Sequence, residues 1–157
     1  MEKSELANSP YILDGAYRCV KNYPFSYKTH TKERWLNKKI IDVFTGEYKA
    51  FTKEYYTNAI ETGKITVNKK KVPLDYILKN SDLIEHETIR RELPVYNAPI
   101  EIIYEDKRML VIDKPPSIPV HACGAYNENS ILQILRYENG YKNLHTLHRL
   151  DRPTSGI

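Results

Sequence analysis

Apolar residues at Leu36, Ile40, Ile41 and Phe44 recur at helical spacing, and Thr45-Gly46 follows them, which predicts a short helix closed by that pair. A second helix is expected between Thr52 and Gly63. Thr52 can cap its start, Glu54 suits its positive end, and Gly63 suits a left-handed stop. Tyr55, Ala59 and Ile60 would face inward. Ile65-Thr66-Val67, Asn68 with three lysines, and Val72 read as strand, turn and short strand. Tyr76 and Leu78 lead to another short strand at Asp82–His86. Downstream, strands Ile100–Ile103 and Met109–Ile112 should flank a turn at Glu105-Asp106. Ile131, Leu132, Ile134 and Leu135 then mark a helix capped by Asn129 and stopped by Gly140. Leu144, Thr146, His148 and Leu150 alternate with other residues, as in a half-buried strand that ends at Asp151.

These elements predict an α+β fold in four segments. Residues 1–34 lack periodicity and carry Tyr11-Ile12-Leu13 and Tyr23-Pro24-Phe25, as an N-terminal Tyr-rich arm packed on a neighbouring domain would. Residues 35–91 form a small αβ domain. Residues 92–98 are a linker, marked by Arg90-Arg91-Glu92-Leu93-Pro94-Val95 and Pro99. Residues 99–157 begin a second domain.

Composition narrows the class. A chain of 157 residues with 41% hydrophobic and 28% charged residues is globular rather than disordered. No stretch approaches the length of an apolar membrane span. Met1-Glu2-Lys3-Ser4-Glu5 has no apolar core after it and is too acidic for a typical mitochondrial presequence. Cys19 and Cys123 lie far apart and suggest no disulfide framework, which points to a reducing compartment. Cytoplasm or nucleus is expected, with mitochondria left open, and a monomer is the simplest assembly.

The net charge is +4, and its basic surplus falls before residue 92; residues 92–157 carry seven Lys/Arg against eight Asp/Glu. Lys69-Lys70-Lys71 is the densest point. A solvated loop explains such a cluster as readily as a phosphate contact does.

The richest chemistry lies in His148-Arg149-Leu150-Asp151-Arg152-Pro153-Thr154-Ser155-Gly156. One carboxylate stands between two arginines at a strand end, where a loop can expose a reactive group on a rigid support. Arg149 and Arg152 would favour its charged form. An ordinary salt-bridged turn is the bland alternative. Two other readings are weaker. His121-Ala122-Cys123 and His145-Thr146-Leu147-His148 bring zinc-ligand types close in sequence. Strand alternation would set His145 and His148 on opposite faces, however, and no Cys-x-x-Cys accompanies them. A kinase catalytic loop needs another order, a downstream Asn and a Gly-rich loop. No metal and no cofactor are expected.

His148-Arg149-Leu150-Asp151, two variable residues and Thr154-Ser155-Gly156 resemble the signature of RluA-type RNA pseudouridine synthases. Ile100–Asp106, Val111-Ile112-Asp113-Lys114-Pro115-Pro116 and Ile118-Pro119-Val120-His121 resemble that family's opening strands, Lys-Pro turn and Pro-Val-His segment. The likeness is close over 99–157 and looser over 36–90. There, two short helices, Gly63-Lys64-Ile65-Thr66-Val67-Asn68 and a late Asp-x-Ile strand resemble the S4 RNA-binding fold. The usual Arg-Leu-Asp opening is replaced by Trp35-Leu36-Asn37. Tyr-rich arms of this kind precede the S4-like module in the family's eukaryotic, tRNA-acting branch.

The resemblance implies an enzyme that isomerises uridine to pseudouridine in RNA, with tRNA as substrate and Asp151 as the catalytic carboxylate. It implies that Arg149 fills the space vacated by the flipped uridine while pairing with phosphate or base. Thr154, Ser155 and Gly156 would shape the turn. Lys114 and His121 would lie near RNA, although a structural lysine stays equally open and a packing histidine is the favoured reading of His121. Lys69, Lys70 and Lys71 would meet RNA phosphates. The family's catalytic domain continues past this motif into a mixed sheet with a Tyr-bearing strand and a later basic strand. The chain is therefore expected to be truncated within that domain, with little or no turnover by itself. A non-catalytic S4-like RNA-binding protein, or action on rRNA or mRNA, is the alternative.

Overall fold

A computed structural model describes residues 9–157, so the first eight residues of the expected arm lie outside the described residues. The chain divides into two compact units. One combines residues up to Tyr23 with Arg91–Ile157, and the other is Pro24–Arg90. The arm expected over 1–34 is thus shared between them. Its first part forms the hairpin β1 (Tyr11–Asp14) and β2 (Tyr17–Val20), with Asp14 opposite Tyr17. Gly15 makes the two-residue connection possible with a φ of 55°, a region open to glycine at little cost.

Within Pro24–Arg90 the strand β3 (Tyr23–His30) supplies one edge of a three-stranded sheet, and a 3-10 turn at Glu33–Trp35 follows it. Helix α1 (Ile40–Glu47) continues through Gly46, past the expected stop, while Leu36 precedes it. Helix α2 (Lys53–Glu61) starts where its sequence indicates: the Thr52 hydroxyl accepts the Tyr55 amide at 3.3 Å. Its inner face is Tyr56, Ala59 and Ile60. Tyr55, expected to face inward, sits at the rim, because Tyr56 takes the helical position that points into the core. Gly63 ends the segment at φ 79°. Strand β4 (Ile65–Val67) pairs antiparallel with β5 (Leu83–Arg90), and β5 is central in the order β3-β5-β4. Val72 forms no strand; it packs half-buried beside the core. That core is Trp35, Ile40, Val43, Phe44, Tyr56, Ala59, Ile60, Ile65, Val67, Leu78 and Ile84.

The other unit is built on distant partners. β6 (Val95–Tyr96) joins β2 antiparallel, so the expected linker carries a strand with Val95 fully buried. β7 (Glu101–Glu105) and β8 (Leu110–Asp113) form an antiparallel ribbon where a mixed sheet was expected. Asp106 tightens their turn by accepting the Arg108 and Met109 amides, each at 2.7 Å. Helix α3 (Ile131–Asn139) has Ser130 rather than Asn129 at its N-cap position, with no capping bond from the side chain, and ends at Gly140, φ 78°. Asn129 is buried and reaches back instead, donating to the carbonyls of Leu93 at 2.9 Å and Arg18 at 3.3 Å. Ile131, Ile134 and Leu135 pack with Tyr11, Val20, Val95 and Ile118.

Glu92 holds this unit together. Its carboxylate accepts the amides of Asn127 (2.8 Å), Glu128 (2.9 Å) and Asn129 (3.0 Å) ahead of α3, and the Tyr23 hydroxyl (2.6 Å). Burial opposes ionisation of Glu92, but these donors outweigh it and hold its carboxyl below the ordinary value. A depressed carboxylate stabilises fully above its unfolded pKa, about 4.3, and loses that contribution as pH falls through the folded value. Glu92→Gln should cost about 1–2 kcal/mol at neutral pH after allowance for partial solvent exposure. Urea unfolding followed across pH should show the gap between wild type and variant closing below about pH 4.

Candidate active site

The segment expected as a strand over Leu144–Leu150 is irregular backbone. No neighbouring strand pairs with it among the described residues, and an isolated alternating segment cannot satisfy its own backbone. Leu147 accordingly stands 89% exposed. Order returns at Asp151. The Thr154 amide donates to the Asp151 carbonyl at 3.1 Å, closing a turn over Arg152-Pro153. Two residues later Gly156 and Lys114 exchange amide-to-carbonyl bonds at 2.9 and 3.0 Å. Gly156 adopts φ 118°, a conformation that side chains make costly.

Lys114 secures this junction from inside. It is 2% exposed, and its ammonium donates to the carbonyls of Ile118 (2.8 Å), Pro115 (3.0 Å) and Arg152 (3.3 Å). Three acceptors match its three N–H groups. Burial, reinforced by the Arg152 charge, pushes the Lys114 ammonium below its usual pKa. The side chain is thus occupied within the protein, as in the structural reading that the sequence left open beside an RNA contact. Its three bonds tie the Lys114–Ile118 loop to the turn that carries Asp151.

The Asp151 side chain is exposed, and no ion pair or hydrogen bond engages its carboxylate among the described residues. The expected pairing with Arg149 and Arg152 is absent. The Arg152 guanidinium turns instead toward the Tyr126 ring, 5.5 Å from its centroid. Arg149 is exposed and His121 half-buried. Around His121 the backbone is well held, since the carbonyls of Pro119 and Val120 accept the Ile131 and Leu132 amides at the start of α3. A free carboxylate on a braced turn can act as nucleophile or as base.

Lys69, Lys70 and Lys71 belong to the Pro24–Arg90 unit and are exposed. Asn68 and Lys69 adopt φ values of 50° and 63°, so their turn is held in a left-handed bend. Asn68 steadies it by accepting the Leu83 amide at 2.9 Å and donating to Asp82 at 2.8 Å. Sequence reasoning missed Glu92 altogether, since nothing local to it foretells partners thirty-five residues on. It also missed the Asp14-Gly15 dipeptide, which is a hairpin signal.

Residues 108–157 match the family of RNA pseudouridylate synthases. The chain is 42% identical over 93% of its length to the mitochondrial tRNA pseudouridine(32) synthase of Saccharomyces cerevisiae, and covers 31% of that protein. It is 40% identical over 96% of its length to the human pseudouridylate synthase RPUSD2, covering 28%. Ribosomal large subunit pseudouridine synthase C of Buchnera aphidicola is 30% identical over 82% of this chain, which covers 44% of that protein. The chain thus spans about three-tenths of the length of the first two relatives.

Replacing Lys114 with Met would take this donor from the buried carbonyls of Pro115 and Ile118 and from the part-buried carbonyl of Arg152. Lys114→Met should destabilise its unit by about 2–4 kcal/mol. Amide exchange at Thr154 and Gly156 should rise with it, read by hydrogen exchange against wild type.

Proposed function

From the premise that this chain belongs to the RluA-type family of RNA pseudouridine synthases, we propose that its parent protein isomerises uridine to pseudouridine in RNA, with tRNA as substrate and Asp151 as the catalytic carboxylate. The reaction breaks the bond from the sugar C1′ to uracil N1, turns the base, and joins C1′ to C5. The C5 proton is lost and N1 gains one, so the product is an isomer and no redox partner is needed. The single observation that carries the proposal is the place of Asp151: inside His148-Arg149-Leu150-Asp151, on a turn braced by Lys114 and Gly156, with its carboxylate unengaged. Such a carboxylate serves as nucleophile or base where charge develops at the sugar–base junction. Arg149, exposed two residues away, is assigned to the space the flipped uridine leaves. The tRNA preference rests on the yeast relative's name. That relative is mitochondrial, while cytoplasm and nucleus fit the cysteine usage equally.

Residues 35–91 are proposed to act as an S4-like RNA-binding module, with Lys69, Lys70 and Lys71 meeting phosphates. Their exposure on a braced turn supports this. The second reading is RNA binding without catalysis, in which the braced turn at Asp151 is structural only.

Full-length protein should release tritium from RNA labelled at uridine C5, and Asp151→Ala should lower that release by at least about a thousandfold while RNA still binds. Unchanged release would remove Asp151 from its role; absence of release by wild type would favour the second reading. Charge reversal at Lys69, Lys70 and Lys71 should weaken RNA binding. It should also flatten the salt dependence by about 0.7–0.9 in the log–log slope for each phosphate no longer neutralised.

A further inference from the structure

The Pro24–Arg90 unit carries a group of rings that its core does not use up. Phe25 and Tyr27 on β3 meet edge to face at 4.7 Å. The guanidinium of Arg90, itself buried, lies 4.5 Å from the Phe25 ring and 5.3 Å from that of Tyr27. Phe51, just before α2, stacks on Tyr55 at 4.1 Å with their planes 17° apart. His86 of β5 joins the two sets, with its centroid 6.3 Å from Tyr27 and 6.1 Å from Phe51. Tyr27 and Phe51 are nonetheless 43% and 39% exposed.

Polar groups lie among these rings. The Tyr55 hydroxyl is 3.1 Å from His86 Nε2 and 3.0 Å from Thr88 Oγ1. Burial pushes His86 below the ordinary imidazole value, so at neutral pH this trio is uncharged. The neighbouring chain adds positive charge through Lys49 and Lys53, both exposed, on either side of Phe51. Glu85 is ion-paired with Lys28. Glu54 and Glu87 are the exposed acids closest in sequence, so the exposed charges around the rings are of both signs.

Half-exposed rings fixed by stacking, a cation packed against them, neutral hydrogen-bonding groups and flanking lysines suit one ligand chemistry. Unpaired nucleobases bring flat faces for the rings and phosphates for the lysines. A duplex hides its base faces and would gain only the charge contacts. We infer that Tyr27 and Phe51, backed by Arg90, Tyr55 and His86, form a stacking platform for unpaired bases of the bound RNA. The platform rests on the reading of this chain as an RNA-binding protein, and it uses neither Asp151 nor Lys69, Lys70 and Lys71.

Binding of a fluorescent oligouridine and of an RNA duplex to the 157-residue chain tests it by anisotropy. Tyr27→Ala and Phe51→Ala should each weaken oligouridine binding about tenfold with the salt slope unchanged, while duplex binding is spared. Tyr27→Phe and Phe51→Tyr should restore it. Because loss of Phe51 could disturb α2, a second measurement uses the unmutated protein. Irradiated 5-bromouridine RNA should cross-link to Tyr27 or Phe51, located by mass spectrometry. Adducts found only elsewhere, or alanine variants that bind oligouridine like wild type, would overturn the platform and leave RNA binding intact. Failure of the wild-type chain to bind either RNA would overturn the RNA-binding reading together with it.

Discussion

The buried ammonium of Lys114 is the constraint on which the candidate site depends. A lone charge in a protein interior is costly, and this one is tolerated because three backbone carbonyls surround it. Those carbonyls come from two places far apart in sequence, the Pro115–Ile118 loop and the Arg152 turn. The same bonds that settle the charge therefore fix where Asp151 stands. The paired amides of Lys114 and Gly156 extend the clamp by one more residue. Asp151 is left with an unengaged carboxylate on a turn held by bonds at Lys114, Arg152 and Gly156.

Glu92 plays the complementary part within the same unit. It gathers three amides ahead of α3 and the Tyr23 hydroxyl, and Asn129 beside them reaches Arg18 and Leu93. Through these bonds the β1–β2 hairpin, the segment around Val95 and the start of α3 share one framework. The start of α3 in turn receives the Pro119 and Val120 carbonyls, next to the loop that Lys114 ties down. Two charges of opposite sign, one buried and one half-buried, are each satisfied largely by backbone groups and together organise a unit whose strands are short.

What the sequence made legible was local. Thr52, Gly63 and Gly140 mark helix ends because capping and left-handed stops involve only neighbouring residues, and the β7–β8 ribbon follows from alternation around the Asp106 turn. Tyr55 against Tyr56, and Asn129 against Ser130, were missed by one position, since the burial of a side chain depends on what lies opposite. The Leu144–Leu150 alternation suggested a strand, yet alternation supplies a face and not a partner, and no strand pairs with it among the described residues. Glu92 was invisible for the same reason, because its partners are set by the fold, and the sequence left Lys114 open between a structural and an RNA-facing role. The motif singled out Asp151, while its lack of an arginine partner was not legible.

Lys114 separates the two accounts of this site most directly. Single-turnover tritium release and RNA affinity should be measured side by side for Lys114→Met in full-length protein. If the lysine braces the Asp151 turn, the rate falls while RNA affinity stays at the wild-type value. A loss of affinity and of its salt dependence, with the rate of bound RNA unchanged, would make Lys114 a phosphate contact and contradict the account.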